Sequence, residues 1–437
     1  MTEMENLNIK LTRDEKDILR GKQGKTMQKV LKTVVLYGEA LGARRLVNIT
    51  GNGHFVITYA IPGIAPSMEL LDELVASGLK TKYPFTLDPK PPLDFENWFL
   101  TQKQVVLLTQ MYEQQDRYDA RMLELGLRDM DACMESCTCT PYLPEVGNIP
   151  KKGDILAWSE SACAIFPNSV LGARTNRNGA IMDLLSGIVG KTPLAGLLTD
   201  EGRRATWLVE VKTKNQPPGQ LLGAAIGMKV LADVPFIVGL ERFLGPGLNE
   251  ESWDYLHEMG AACATAGAVG LYHVENITPE AVEHGTDLLV KNHKSYTIDD
   301  QELEKLLSSY PVLWPDNDAK PEKCLIGCPH LSRRQLYWWT DMIDSALQKK
   351  RQSRIPVKTT ICAAPQVLQE FKADQKAYEL LERAGIKLSS GCPMQLFDKD
   401  LSAGQAILTN SNKLRAYTTA RFIPDEKLAK ALVNGEI

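Results

Sequence analysis

Apolar residues recur at helical spacing through Leu31, Val34, Leu36 and Leu41, and predict a helical region over 12–42. Thr12, followed at spacing three by Glu15, has the form of a capping box at its start. The same periodicity predicts helices at 66–78, 101–126, 218–232 and 249–268. Short apolar or alternating runs predict strands at Arg45–Thr50, Lys80–Leu87, Trp207–Lys212 and Val269–His273. Asp88-Pro-Lys-Pro-Pro92 is a clear break, and an extended segment over Asp131–Thr138 leads into Cys139. Residues 275–322 are polar and predict one or two surface helices.

The last third carries the clearest pattern. A strand at Lys323–Gly327, a helix at 331–349, a strand at Val357–Cys362, a helix at 364–384 and a strand at Ile386–Ser389 follow in order. This β-α-β-α-β order implies a parallel, right-handed, doubly wound unit. Ligands of such sheets bind outside the carboxyl ends of the strands. The expected organisation is an N-terminal α/β catalytic region over 1–315 and a C-terminal α/β lobe over 316–437.

Composition narrows the class. The 437 residues are 44% hydrophobic and 24% charged, as in a soluble globular enzyme of more than one domain. A net charge of −4 gives no global attraction to nucleic acid or to an anionic membrane. The longest apolar stretches, such as Gly260–Leu271, are too short to span a bilayer. The acidic start, Met1-Thr-Glu-Met-Glu5, is not a signal peptide. Nine cysteines without an export signal place the expected location in a reducing cytoplasm.

Three of those cysteines stand before a proline, in Cys139-Thr-Pro141, Cys328-Pro329 and Cys392-Pro393. Proline ends regular structure and holds its neighbour in an extended turn, so these thiols are presented at the ends of elements. Three such thiols suggest a metal or iron–sulfur site with three protein ligands. The paired spacing of a structural zinc site is absent, since neither Cys137-Thr-Cys139 nor Cys324-x3-Cys328 has it. A cysteine taken alone is most often a small buried hydrophobe. Cys137 is an alternate ligand.

A second group is Trp158-Ser-Glu-Ser161, Asn168 and Gly172-Ala-Arg-Thr-Asn-Arg-Asn-Gly179. Arg174 and Arg177 can grip a carboxylate or phosphate in bidentate fashion, and Ser159, Ser161, Asn168, Thr175 and Asn176 can hold hydroxyls. No Walker loop is present, and Gly190-Lys191-Thr192 is only a fragment of one. Thr409-Asn-Ser-Asn-Lys413 can close a site, or serve as a surface turn. His54 and His330 lie in loops beside these features, where a simple polar contact is the commoner role. No G-x-S-x-G elbow of a hydrolase occurs.

Taken together the chain resembles the catalytic (large) subunit of aconitase X, a branch of the aconitase superfamily. The matching segments include Cys139-Thr-Pro-Tyr142, Ala157-Trp-Ser-Glu-Ser161, Leu171-Gly-Ala-Arg-Thr-Asn-Arg177, Val189-Gly-Lys-Thr-Pro193, Leu271-Tyr-His-Val-Glu275, Ile326-Gly-Cys-Pro-His330 and Thr409-Asn-Ser411. The resemblance implies an aconitase-like α/β fold, with doubly wound parallel lobes around a central cleft and without the swivelling domain. It implies a dehydratase (a hydro-lyase) with an iron–sulfur cluster of four, three or two irons on Cys139, Cys328 and Cys392. It also implies a small swivelling-domain subunit as partner, carrying the catalytic base. The implied substrate is a small hydroxy acid, first mevalonate 5-phosphate, with cis-3-hydroxy-L-proline or another hydroxy acid as alternatives. A non-catalytic, metal-stabilised scaffold is the remote alternative. Arg174, Asn176, Ser159 and Ser161 are the expected catalytic contacts. Glu160, Asn168, Thr175, Arg177, Lys191, Ser411, Lys413 and His54 are the expected substrate contacts.

Overall fold

The structure, a computed structural model, describes residues 7–56, 65–91, 93–128, 136–396 and 399–437. The capping box at Thr12 forms, with the Thr12 N–H donating to Glu15 Oε2 at 2.7 Å. The region it opens is two helices, Arg13–Leu19 and Lys25–Ala40, because Gly21 and Gly24 turn the chain at φ of 83° and 92°. Strand β1 is Leu46–Asn48, β2 is Gly53–Phe55, β3 is Phe85–Leu87 and β4 is Lys191–Pro193. β1 pairs antiparallel with β4, and β2 pairs parallel with β3. The expected helix over 101–126 is also two, Gln102–Met111 and Gln115–Leu125. Most of the extended segment expected over Asp131–Thr138 lies outside the described residues.

A second sheet holds β5 (Ala205–Val211), β6 (Pro235–Val238), β7 (His273–Val274) and β8 (Leu289–Ile298). Its order is β7-β6-β5-β8 and all its pairs are parallel. Helices Gly219–Val230 and Glu250–Ala266 pack closely against each other, since a Cβ at Gly223 would collide with the Met259 carbonyl. β8 falls in the stretch expected to hold only surface helices. Its run Lys291-Asn-His-Lys-Ser295 is an edge, and polar side chains on an edge strand hide the alternation that identifies a strand.

The third sheet holds β9 (Lys323–Leu331), β10 (Lys358–Ala363), β11 (Lys387–Ser389), β12 (Ile407–Thr409) and β13 (Arg421–Phe422). Its order is β11-β10-β9-β12-β13, again all parallel, as the β-α-β-α-β pattern required. The winding reverses between β9 and β12, which makes their carboxyl ends the expected ligand position. One face packs on a core that includes Ile326, Ile343, Ile361 and Phe371. The other face is covered by Trp98, Leu108 and Tyr112 from much earlier in the chain.

β9 differs from its expected form. It continues past Gly327 to Leu331, but its pairing with β10 slips between Ile326↔Ile361 and Leu331↔Ala363. The intervening Gly327-Cys-Pro-His330 bulges out of the ladder. Gly327 has φ of 92°, and a Cβ there would collide with the Cys362 carbonyl oxygen, so only glycine fits. Among the described residues no helix is long and apolar enough to cross a membrane.

Candidate active site

The carboxyl ends of β9 and β12 open into a cavity of about 560 Å³. Its walls carry Cys139, Cys328 and Cys392 together with Ser159, Glu160, Ser161, Arg177, His330, Lys413 and Tyr417. Each thiol arrives by a different route. Cys328 rides on the bulge of β9. Cys392 follows β11, and its N–H donates to Lys90 O at 3.0 Å. Cys139 follows Thr138, whose N–H donates to Leu87 O at 2.9 Å, so the segment runs alongside the end of β3. The His330 N–H donates to Cys139 Sγ at 3.2 Å, and the Cys163 thiol donates to Cys139 O at 2.9 Å.

Beside the thiols is a polar, tightly paired group of lining residues. Glu160 caps the helix Ser161–Phe166, accepting from Cys163 N at 2.5 Å. Its other oxygen accepts from Lys413 Nζ at 2.6 Å, and the Ser161 hydroxyl donates to that oxygen at 3.3 Å. Lys413 sits in the helix Asn412–Tyr417, whose start is capped by Ser411 Oγ accepting from Leu414 N at 3.2 Å. Burial alone would push the Glu160 carboxyl up, but the Lys413 ammonium and the hydrogen bonds from Cys163 together outweigh it and hold the group down at about 2. Burial favours neutral Lys413, yet Glu160 and the nearby Cys328 keep it charged and shift it upward.

The thiols behave in the opposite way. Burial pushes Cys139 well above its ordinary value, and the like charge of Cys328 adds to that. Cys392 is pushed up to about 12 by burial and then by Cys328. Cys328 is raised by burial, with Lys413 and Ser411 working against the rise.

Residues 8–201 match the aconitase X first domain and residues 205–308 match the aconitase X second domain. A phosphomevalonate dehydratase large subunit from Thermococcus kodakarensis is 34% identical over 93% of this chain and 94% of its own. This chain belongs to the aconitase X family. A phosphomevalonate dehydratase large subunit from Methanothermobacter thermautotrophicus is 35% identical over 74% of each chain. A cis-3-hydroxy-L-proline dehydratase from Pseudomonas aeruginosa is 26% identical over 92% of this chain, which spans 65% of that relative. The crystal structure of Thermococcus kodakaraensis aconitase X in its holo form superposes with a TM-score of 0.78 at 29% identity, covering 97% of this chain and 99% of that one. Dehydratases are hydro-lyases, and this aconitase X chain is an enzyme of that class.

Of the residues expected at the site, the cavity brings together the three cysteines with Ser159, Glu160, Ser161, Arg177 and Lys413. Arg174 and Asn176 lie outside it and pin a neighbouring turn. Arg174 pairs with Asp200 at 2.6 Å and donates to Leu198 O at 3.1 Å. Asn176 donates to Ala195 O at 2.8 Å and accepts from Leu197 N at 2.7 Å. Asn168 and Thr175 are buried and bonded to each other's segment, with Asn168 Oδ1 accepting from Thr175 N at 2.9 Å. Lys191 donates to Glu15 at 2.6 Å. His54 is fully buried, bonded to the Thr86 hydroxyl at 2.9 Å and set against Trp158. Ser411 acts here as a helix cap. The contact that spacing missed is Tyr417, one helical turn after Lys413 and 51% exposed at the cavity. His330 makes the polar contacts expected of it, to Thr138 and Gly391, and also lines the cavity, its ring shifted down to about 4 by burial.

The donor set tests which cofactor fits an aconitase X cavity of this form. Thiols raised by burial and by a neighbouring thiol stay protonated unless a cationic group replaces their protons. Three thiols lining one cavity are the donor type that thiolate-binding groups take.

Proposed function

We propose that this chain is the large subunit of a dehydratase that holds an iron–sulfur cluster on Cys139, Cys328 and Cys392 and removes water from a small anionic hydroxy acid. The observation that carries the reading is the meeting of three sequence-distant thiols with Arg177 and Lys413 on the wall of one cavity. Bound there, the cluster would supply a Lewis-acidic iron for the substrate hydroxyl. Arg177 is the residue best placed to grip a phosphate or carboxylate. Thr175 Oγ1 accepts the Arg177 N–H at 3.2 Å and fixes its left-handed turn, φ 54°. Lys413, clamped by Glu160, offers a fixed positive charge beside the thiols. Ser159 accepts from Val56 N at 2.8 Å and Ser161 donates to Glu160 at 3.3 Å, so both hydroxyls are held in place.

Glu160 makes a poor base for carbon acids, because Lys413 and the hydrogen bonds from Cys163 hold it at about 2. The base would then come from a small partner subunit, consistent with the large-subunit names of the relatives. Those relatives also favour mevalonate 5-phosphate as substrate. This chain spans 94% of the Thermococcus kodakarensis phosphomevalonate enzyme but 65% of the Pseudomonas aeruginosa hydroxyproline enzyme.

The test is anaerobic co-expression with the small subunit, followed by iron and sulfide analysis and assays with mevalonate 5-phosphate and cis-3-hydroxy-L-proline. Cys139→Ser, Cys328→Ser and Cys392→Ser should each lose cluster, and Arg177→Ala should lose about 10²-fold in kcat/KM toward the phosphorylated substrate. Asp88→Asn, at the remaining carboxylate on the wall, should keep activity. Full cluster content in the serine variants would remove the ligand assignment.

A further inference from the structure

Resting on the cluster reading above, we propose that His330 is a positioning residue that locks the three thiol-bearing loops into one arrangement. It lies two residues after Cys328 on the bulge of β9. Its Nδ1 meets Thr138 Oγ1 at 3.0 Å, one residue before Cys139. Its Nε2 meets Gly391 O at 3.4 Å, one residue before Cys392. Its own N–H reaches Cys139 Sγ at 3.2 Å. One residue therefore touches all three loops, and it is buried to 1% exposure.

The partners fix the proton. Gly391 O can only accept, so Nε2 carries the hydrogen and Nδ1 accepts from the Thr138 hydroxyl. Thr138 Oγ1 in turn accepts from Thr140 N at 3.1 Å and lies 3.0 Å from Thr140 Oγ1, which completes its bonding. Both outer anchors are tied to the scaffold. Gly391 N donates to Ser389 Oγ at 3.0 Å, and Ser389 Oγ donates to Asp94 Oδ2 at 2.8 Å. A neutral ring spanning two loops can be satisfied only when all three loops are in place. Groups that orient metal-binding ligands in this way contribute strongly to retention of the bound group.

The experiment compares wild type, His330→Ala and His330→Gln after anaerobic reconstitution with iron and sulfide. It reads iron content, the rate of bleaching by a chelator, the reduction potential and the melting midpoint of the apoprotein. His330→Ala should bleach about 10–100-fold faster than wild type. Its potential should fall, because the N–H on Cys139 Sγ is no longer held. His330→Gln, whose amide can still donate to Gly391 O, should recover part of both. A role confined to folding would shift the apoprotein midpoint and leave the potential of the loaded protein unchanged. Wild-type bleaching and potential in His330→Ala would overturn the inference while leaving the cluster reading intact. A wild-type protein that takes up no iron would overturn both. If His330→Ala does not fold, Thr138→Val, which removes the partner of Nδ1 at similar volume, is measured instead. Faster bleaching there supports the inference and an unchanged rate overturns it.

Discussion

Arg174 and Arg177 are three residues apart, and spacing alone treats them as equivalent grips. The left-handed turn at Arg177 separates them: Arg177 lines the cavity, while Arg174 reaches outward to Asp200. That turn leads into Gly179, which starts the helix Ala180–Val189. Asn178 within it donates to Asp183 Oδ1 at 3.0 Å. Asp183 Oδ2 has no partner, and burial pushes this carboxyl up to about 7. The folded protein therefore keeps a proton that the unfolded chain has released, so stability falls as pH rises from about 4 to about 7. Asp183→Asn should remove that slope. Its melting midpoint should exceed wild type at pH 8 by more than at pH 5, by the equivalent of about 1–3 kcal/mol. An equal difference at both pH values would contradict the raised value. The thiols were legible because proline marks a loop whatever the fold. The partners of Arg174, Asn176 and Lys191 were not, because a bond to a carboxylate or carbonyl elsewhere in the chain leaves no local pattern.

At the scale of elements, the β-α-β-α-β unit was readable because buried parallel strands are continuously apolar and their helices are amphipathic. The edge strand β8 was not, since its charges mask its period. The bulge of β9 was half readable: the Cys328-Pro329 step marked an end, whereas the strand resumes to Leu331. The bulge depends on one residue. Gly327→Ala combines a strained φ of 92° with a collision against the Cys362 carbonyl. It should cost at least about 1–3 kcal/mol and reduce cluster content in whatever protein remains soluble. Thermal unfolding and iron analysis check this, and a wild-type melting midpoint would show that the bulge tolerates a side chain.

Across the whole molecule, the third sheet is not covered by its own lobe alone. Trp98, Leu108 and Tyr112 close the face formed by Leu325, Cys362, Ile407, Leu414 and Ala420. Expressed as residues 316–437, that lobe would present this apolar face to water. It should be insoluble or associated, and co-expression with residues 1–315 should rescue it, as size-exclusion chromatography would show. A soluble, monomeric, cooperatively melting fragment would contradict this.

The cavity also has a place in time. Chains emerge from the ribosome N-terminus first. Cys139 is made early, but its wall is finished only when Cys392, Lys413 and Tyr417 have been added. Until then its thiol lacks the neighbours that bury it. Loading of any group that needs all three sulfurs is thus a step after synthesis, and an oxidant acting on the nascent chain would find Cys139 before the rest of the site exists.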